Sequence, residues 1–130
     1  LKFMNNVFTE LYNELHSLSF LEKNPLKSFL IATKFHAILI FFIASQKDYK
    51  STLEDICYNI SSKVISRSTI QNILKEGVSV GFFIKEKNTK DKRSKFYRVS
   101  DEAKKIIFDW AYNRKKVFSS LQEISIKNLK

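Results

Sequence analysis

The sequence predicts a mainly α fold with one small β-hairpin, organised as a single domain over residues 1–130. Three observations predict it. Only two glycines and one proline occur in 130 residues, and an all-β sandwich or barrel needs many more turn formers. Apolar residues recur at three- and four-residue steps through most of the chain, which is the spacing of helices buried along one face. Residues 82–99 break that rhythm: two short runs of strand-forming residues flank a charged loop, the pattern of a hairpin. A hydrophobic content of 44% is too high for a disordered chain, and the length suits one core better than two.

Residues 3–20 predict an amphipathic helix, with Met4, Val7, Phe8, Leu11, Leu15 and Leu18 on one face and Glu10, Asn13 and Glu14 on the other. Asn24-Pro25 ends it, because proline disfavours helical geometry in the residue before it. A second helix is expected over residues 26–45. It is apolar on nearly all sides, which marks a central buried helix. Its longest unbroken apolar run, residues 37–44, is too short to span a bilayer, so no membrane partner is expected. Nor is a signal peptide, since Asn5, Asn6, Glu10, Asn13 and Glu14 interrupt residues 1–20.

Residues 46–50 form a polar connection. Ser51 stands three residues before Glu54, the spacing of a capping box, and a short helix carrying Leu53, Ile56, Cys57 and Ile60 follows. After the polar break Ser61-Ser62-Lys63, Ser66 is the next N-cap. Its helix buries Ile70, Ile73, Leu74 and Val78. Gly77 falls near the end of that helix, and Gly81 terminates it. A strand begins at Phe82-Phe83-Ile84, residues 85–93 make the charged loop, and residues 95–99 make the returning strand. Ser100 caps a last helix over residues 100–121, with Asp101 and Glu102 against the positive end of its macrodipole. Ala103, Ile106, Ile107, Trp110, Val117, Phe118 and Leu121 recur along it.

The order helix, helix, short helix, helix, hairpin, long helix contains a winged helix-turn-helix over residues 51–99. Residues 1–45 and the C-terminal helix flank it. Such a unit lays its second helix in a DNA major groove, N-terminal residues first. A groove-reading helix needs short polar side chains at its start, and longer donors for phosphates and base edges. Ser66, Arg67, Ser68, Thr69, Gln71, Asn72 and Lys75 meet that need. Arg67 suits guanine or phosphate, while Gln71 and Asn72 suit adenine edges.

The charge points the same way. Ten basic and three acidic residues lie between Lys63 and Arg98, so this segment holds +7 of the chain's formal +10. Lys90, Lys92, Arg93 and Lys95 crowd the hairpin loop. A surface this basic attracts polyanions through its field and through counterion release. The lone Cys57 cannot form an internal disulfide, which fits a reducing cytoplasm. Its expected place on the buried face argues against a redox role. His16 and His36 lack further ligands at metal-binding spacing. No Gly-rich phosphate loop, nucleophile elbow or carboxylate pair stands out. No enzyme activity, catalytic residue, metal or cofactor is therefore expected.

Ile65-Ser66-Arg67-Ser68-Thr69-Ile70, Gly81 before a strand, Asp91-Lys92-Arg93-Ser94 and Val99-Ser100-Asp101-Glu102-Ala103 occur in this order. The set resembles the MarR family of transcriptional regulators, by motif over roughly residues 53–107 and by element order elsewhere. The resemblance implies a homodimer whose N- and C-terminal helices interlock. It also implies that Ser66, Arg67, Ser68 and Thr69 open the recognition helix. In the wing, it implies that Arg93 reaches a minor groove with Asp91 orienting it. A small aromatic effector is implied too, without a location. One departure is visible: the segment between Leu53 and Ser66 is several residues longer than the family's usual spacing, with the surplus in residues 58–65.

The leading expectation is a cytoplasmic, homodimeric regulator specific for double-stranded DNA. Two alternatives stand beside it. One is a winged-helix module that binds a protein through its apolar terminal helices. The other is a replication or nucleoid protein with little sequence preference.

Overall fold

The computed structural model describes residues 2–18 and 24–121. Helices α1 (Lys2–Leu18), α2 (Pro25–Leu30) and α3 (Lys34–Ala44) come first, followed by a 3-10 turn at Lys47–Tyr49 and strand β1 (Lys50–Thr52). Helices α4 (Leu53–Asn59) and α5 (Arg67–Ser79), strands β2 (Phe83–Lys87) and β3 (Lys95–Val99), and helix α6 (Asp101–Leu121) complete the chain. Phe20 and the tail from Gln122, both parts of the expected helices or their surroundings, lie outside the described residues. So do the side chains of Met4, Leu18, Val117, Phe118 and Leu121.

The expected helix over residues 26–45 is two helices. Asn24 N-caps the first, its side chain accepting from Lys27 N at 3.1 Å, and Pro25 occupies the first helical position, where its missing N–H costs nothing. The chain then breaks after Leu30. Thr33 takes up extended geometry, and its Oγ1 accepts from the backbone N–H of both Phe35 and His36 at 3.2 Å. A hydroxyl that satisfies two orphan donors makes a local helix start. Apolar periodicity does not register such a start, because apolar residues run up to it and resume after it, Phe29, Leu30 and Ile31 before and Phe35 after. Leu39, Ile40 and Ile43 of α3 are fully enclosed.

The hairpin is also more than a hairpin. β1 pairs antiparallel with β3, giving a three-stranded sheet in the order β1-β3-β2. Ser51 therefore sits buried in a strand, and Thr52 is the true N-cap of α4, accepting from Asp55 N at 3.1 Å. The cap falls one residue later than the capping-box spacing indicates: Ser51 pairs with Tyr97 inside the sheet, and Thr52, the last residue of β1, opens the helix. β2 and β3 pair from Phe83↔Val99 to Lys87↔Lys95, so the second strand runs two residues beyond Lys85 and the loop shortens to residues 88–94. Preceding the turn into this sheet, Asp48 and Tyr49 both have positive φ, 58° and 55°.

One core unites these elements. Phe29 and Leu30 of α2 meet Ile56 of α4, Ile70, Ile73 and Leu74 of α5, Phe82, Phe83, Val99 and Ala103. Phe41 of α3 packs against Trp110 of α6 with ring centroids 5.4 Å apart. Helix α1 joins through Val7, which is buried, and through an ion pair between Glu14 and Arg114 of α6. Burial holds the Arg114 guanidinium below its ordinary range. Phe8, Tyr12 and Leu15 of α1, and Phe108 and Tyr112 of α6, remain exposed. Among the described residues, no helix is long and apolar enough to cross a membrane.

The segment between α4 and α5 is compact despite its length. Ile60 and Ile65, at its two ends, are both buried. Between them Ser61 O accepts from the N–H groups of Val64 and Ile65 at 2.9 and 3.1 Å, closing a single tight turn. The surplus residues are thus taken up in a turn pinned by two isoleucines.

Candidate nucleic-acid interface

Helix α5 begins where the sequence indicates. Ser66 is extended, at φ −70° and ψ 155°, and its Oγ accepts from Thr69 N at 3.2 Å while donating to Thr69 Oγ1 at 2.9 Å. Ser68 Oγ lies 3.2 Å from Ser66 Oγ. Ser66→Ala removes this cap and should cost about 1 kcal/mol of stability. A denaturation midpoint equal to that of the native chain would show the cap to be idle.

The inner face of α5 buries Ile70, Ile73, Leu74 and Gly77, and its outer face exposes Arg67, Ser68, Gln71, Asn72 and Lys75, with Thr69 half-buried. Gly77 lies near the end of the helix, as its place in the sequence indicates, and a Cβ there would stand 2.6 Å from Phe83 Cε2 and 3.0 Å from Phe29 Cζ. The glycine lets α5 approach β2 closely. Gly81 does terminate the turn, at φ +83°, a conformation that glycine adopts without strain.

Arg67 is not free. Its Nη2 donates to Glu54 Oε1 at 2.7 Å and its Nη1 to Glu54 Oε2 at 3.4 Å, both side chains remaining more than half exposed. The hydrogen bond from Arg67 holds the Glu54 carboxyl below the usual carboxylate range, and the same bond raises the guanidinium. From the sequence, Glu54 is only a capping-box carboxylate. Nothing in the spacing of two residues thirteen apart reveals that their helices bring them together.

The wing turn has its own scaffold. Asn88 Oδ1 accepts from the N–H groups of Lys90 and Asp91 at 3.1 and 3.3 Å, and Asn88 Nδ2 donates to Ser94 Oγ at 3.1 Å. Asp91 Oδ1 accepts from Arg93 N at 3.0 Å and lies 3.6 Å from Arg93 Nε. The Arg93 side chain is 94% exposed, so the aspartate anchors its backbone and leaves the guanidinium projecting. Asn88 escapes sequence reading, because an asparagine in a polar loop has no distinguishing neighbour pattern.

The basic residues of this region divide into two sets. Arg98 is paired with Glu86, whose carboxyl it holds low, and lies 3.8 Å from Asp101. Lys50 lies over the Phe96 ring and Lys85 over the Tyr97 ring, at 4.6 and 5.8 Å from the centroids. Among the described residues, no ion pair involves Lys75, Lys87, Lys90, Lys92 or Lys95. A groove of about 320 Å³ separates the wing from α4, lined by Glu54, Lys85, Asp91, Arg93, Lys95 and Tyr97. Arg67 at the start of α5 pairs with Glu54, and Glu54 lines the same groove as Arg93 of the wing.

This geometry has solved counterparts. The chain is similar to Sco3205, a MarR family transcriptional regulator from Streptomyces coelicolor solved in complex with DNA, with a TM-score of 0.54 and 13% identity over 93% of this chain and 77% of that one. The fold is the MarR winged helix. AbsC, a second MarR family regulator from Streptomyces coelicolor, matches with a TM-score of 0.55 and 11% identity over 93% of this chain and 83% of its own. YusO from Bacillus subtilis matches with a TM-score of 0.53 and 14% identity over 96% and 88%. No family model and no curated protein matches the sequence. At these identities the likeness is one of fold.

Proposed function

We propose that this chain is a transcriptional regulator of MarR type that binds double-stranded DNA as a homodimer in the cytoplasm. The exposed start of α5 enters a major groove, and the wing turn enters the adjoining minor groove. One observation carries this reading: Glu54, paired with Arg67 at the start of α5, lines one groove with Arg93 and Lys95 of the wing, and among the described residues no ion pair involves Lys75, Lys87, Lys90, Lys92 or Lys95. Free lysines bind phosphate, which supplies affinity without sequence preference. Ser68, Gln71 and Asn72 supply donors and acceptors for base edges. Arg93, held by Asp91, suits the negative potential of a narrow A·T-rich minor groove.

The homodimer is proposed from the apolar side chains exposed on the terminal helices, Phe8, Tyr12 and Leu15 on α1 with Phe108 and Tyr112 on α6. Large apolar side chains left exposed on terminal helices suit an interface with a second copy. A small-molecule effector belongs to the same reading. It would enter the cleft of about 270 Å³ lined by Glu14, Lys27, Leu30, Asp109 and Trp110.

The test is binding to random-sequence duplex DNA across a salt series, followed by selection of preferred sites from random DNA. Binding should weaken steeply with salt, and the selected site should be palindromic, because half-site spacing mirrors a two-fold protein. No binding at low salt would overturn the DNA reading and leave the exposed apolar helices as the functional surface of a protein-interaction module. Strong binding without any selected sequence would instead indicate an architectural role.

A further inference from the structure

We infer that Glu54 is a specificity-determining residue: it holds Arg67 away from indiscriminate phosphate contact and leaves only one edge of the guanidinium to read a base. The inference rests on the DNA-binding reading above and deepens it.

Arg67 is the first residue of α5, the position from which a recognition helix first meets DNA. Left alone, an arginine there would add its charge to the positive end of the helix macrodipole and grip any phosphate. The structure sets a competing carboxylate against that option. Glu54 takes both Nη atoms end-on, Nη2 at 2.7 Å and Nη1 at 3.4 Å. The pair carries no net charge, so Arg67 contributes nothing to the long-range attraction of the face. The lysines of the wing supply that attraction instead.

A guanidinium has five N–H donors in a fixed planar fork. End-on pairing with Glu54 uses the two that point away from the stem. The side-on edge, made of Nε–H and the outer N–H of Nη2, has no hydrogen-bond partner among the described residues. That edge presents two parallel donors, which match the paired O6 and N7 acceptors of guanine. A phosphate offers no comparable gain, because the adjacent carboxylate repels it. Glu54 thus penalises the contact common to all sequences and spares the one that distinguishes a base. Discrimination by a repulsive element is as effective as discrimination by a new attraction.

Both side chains are exposed, Arg67 at 52% and Glu54 at 68%, so Glu54→Gln should fold as the native chain does. Gln keeps an acceptor near Arg67 and loses the charge. On a random-sequence duplex, E54Q should bind more tightly at low salt. Its log K against log salt should be steeper by about 0.9, the increment for one added phosphate contact. That slope corresponds to about 3.5-fold more affinity lost between about 50 and about 200 mM salt. On the site selected by the native protein, affinity should rise less than on random DNA, so the specificity ratio falls. Site selection with E54Q should lose preference at one base position per half-site and keep the others.

Three results overturn the inference. A slope and specificity ratio equal to those of the native chain sink the role of Glu54 while leaving DNA binding intact. An equal gain on selected and random DNA shows a bulk charge effect without base selection. Failure of the native chain itself to bind duplex DNA removes the reading on which the role depends.

Discussion

Phe29→Ala is expected to lose about 3–5 kcal/mol of folding stability, the usual cost of emptying a buried phenylalanine site. Phe29 is 2% exposed and stands at the centre of the aromatic cluster. Its ring meets Phe82 at 5.1 Å and Phe83 edge-on at 5.8 Å between centroids, and His36 edge-on at 5.0 Å. Aromatic pairs of this kind contribute about 0.5–1.5 kcal/mol beyond their buried area. The site cannot collapse around the cavity, because Phe29 is held between α2, the end of α5 and the start of β2. Urea unfolding with an unchanged m-value and a much lower midpoint is the expected result. A loss no greater than that of an exposed-site substitution would mean that Phe29 is not a core residue. The loss is also a large share of the about 5–15 kcal/mol that holds a typical domain together.

Gly77→Ala is expected to destabilise the protein and to disturb the seat of α5 on the sheet. In most helix interiors alanine improves on glycine by up to about 1 kcal/mol. Here the added methyl group would press on the Phe83 ring, at 2.6 Å from Cε2, and on Phe29 Cζ at 3.0 Å. Phe83 is 1% exposed and packs against Phe82 and Phe29, so its ring has nowhere to go. Overpacking of a close-packed core costs about 1–3 kcal/mol, which outweighs the propensity gain. The strain is relieved most directly by tilting α5 away from β2. Under the proposed function, that tilt moves the helix start relative to the wing. DNA affinity should therefore fall by more than the stability loss explains, when measured well below the melting temperature. A midpoint at or above that of the native chain would show that the interface relaxes without cost.

The His36 contact illustrates how far the core reaches toward the candidate interface. Its Nδ1 lies 2.8 Å from Thr33 Oγ1 and its Nε2 lies 3.4 Å from Glu76 Oε2 on α5. The cap that begins α3 is therefore linked through one ring to the helix proposed to read DNA. Packing and hydrogen bonding from the first half of the chain fix where α5 sits.

Much of this protein is legible in its sequence. The Ser66 cap, the buried stripe of Ile70, Ile73 and Leu74, the αL glycine at Gly81, strand β3 and the Ser100 cap are local features. Each depends on residues within a few positions of one another, so hydroxyl spacing, helical period and strand alternation suffice to read them. The concentration of charge between Lys63 and Arg98 is likewise a property of the sequence alone. The misread elements share a different cause. The break at Thr33 hides between two apolar segments, and β1 exists because β3 offers it hydrogen bonds across about a third of the chain. The role of Gly77 depends on two phenylalanines that arrive from α2 and β2. Charge composition could not say which cations are neutralised, since Glu54 meets Arg67 and Glu86 meets Arg98 only once the helices and strands are packed. The sequence by itself determined the order of elements and the basic, polar character of the α5–wing surface. Tertiary structure alone decided which of its arginines are restrained and which lysines are left open, because pairing of charges depends on distances that the chain acquires only on folding.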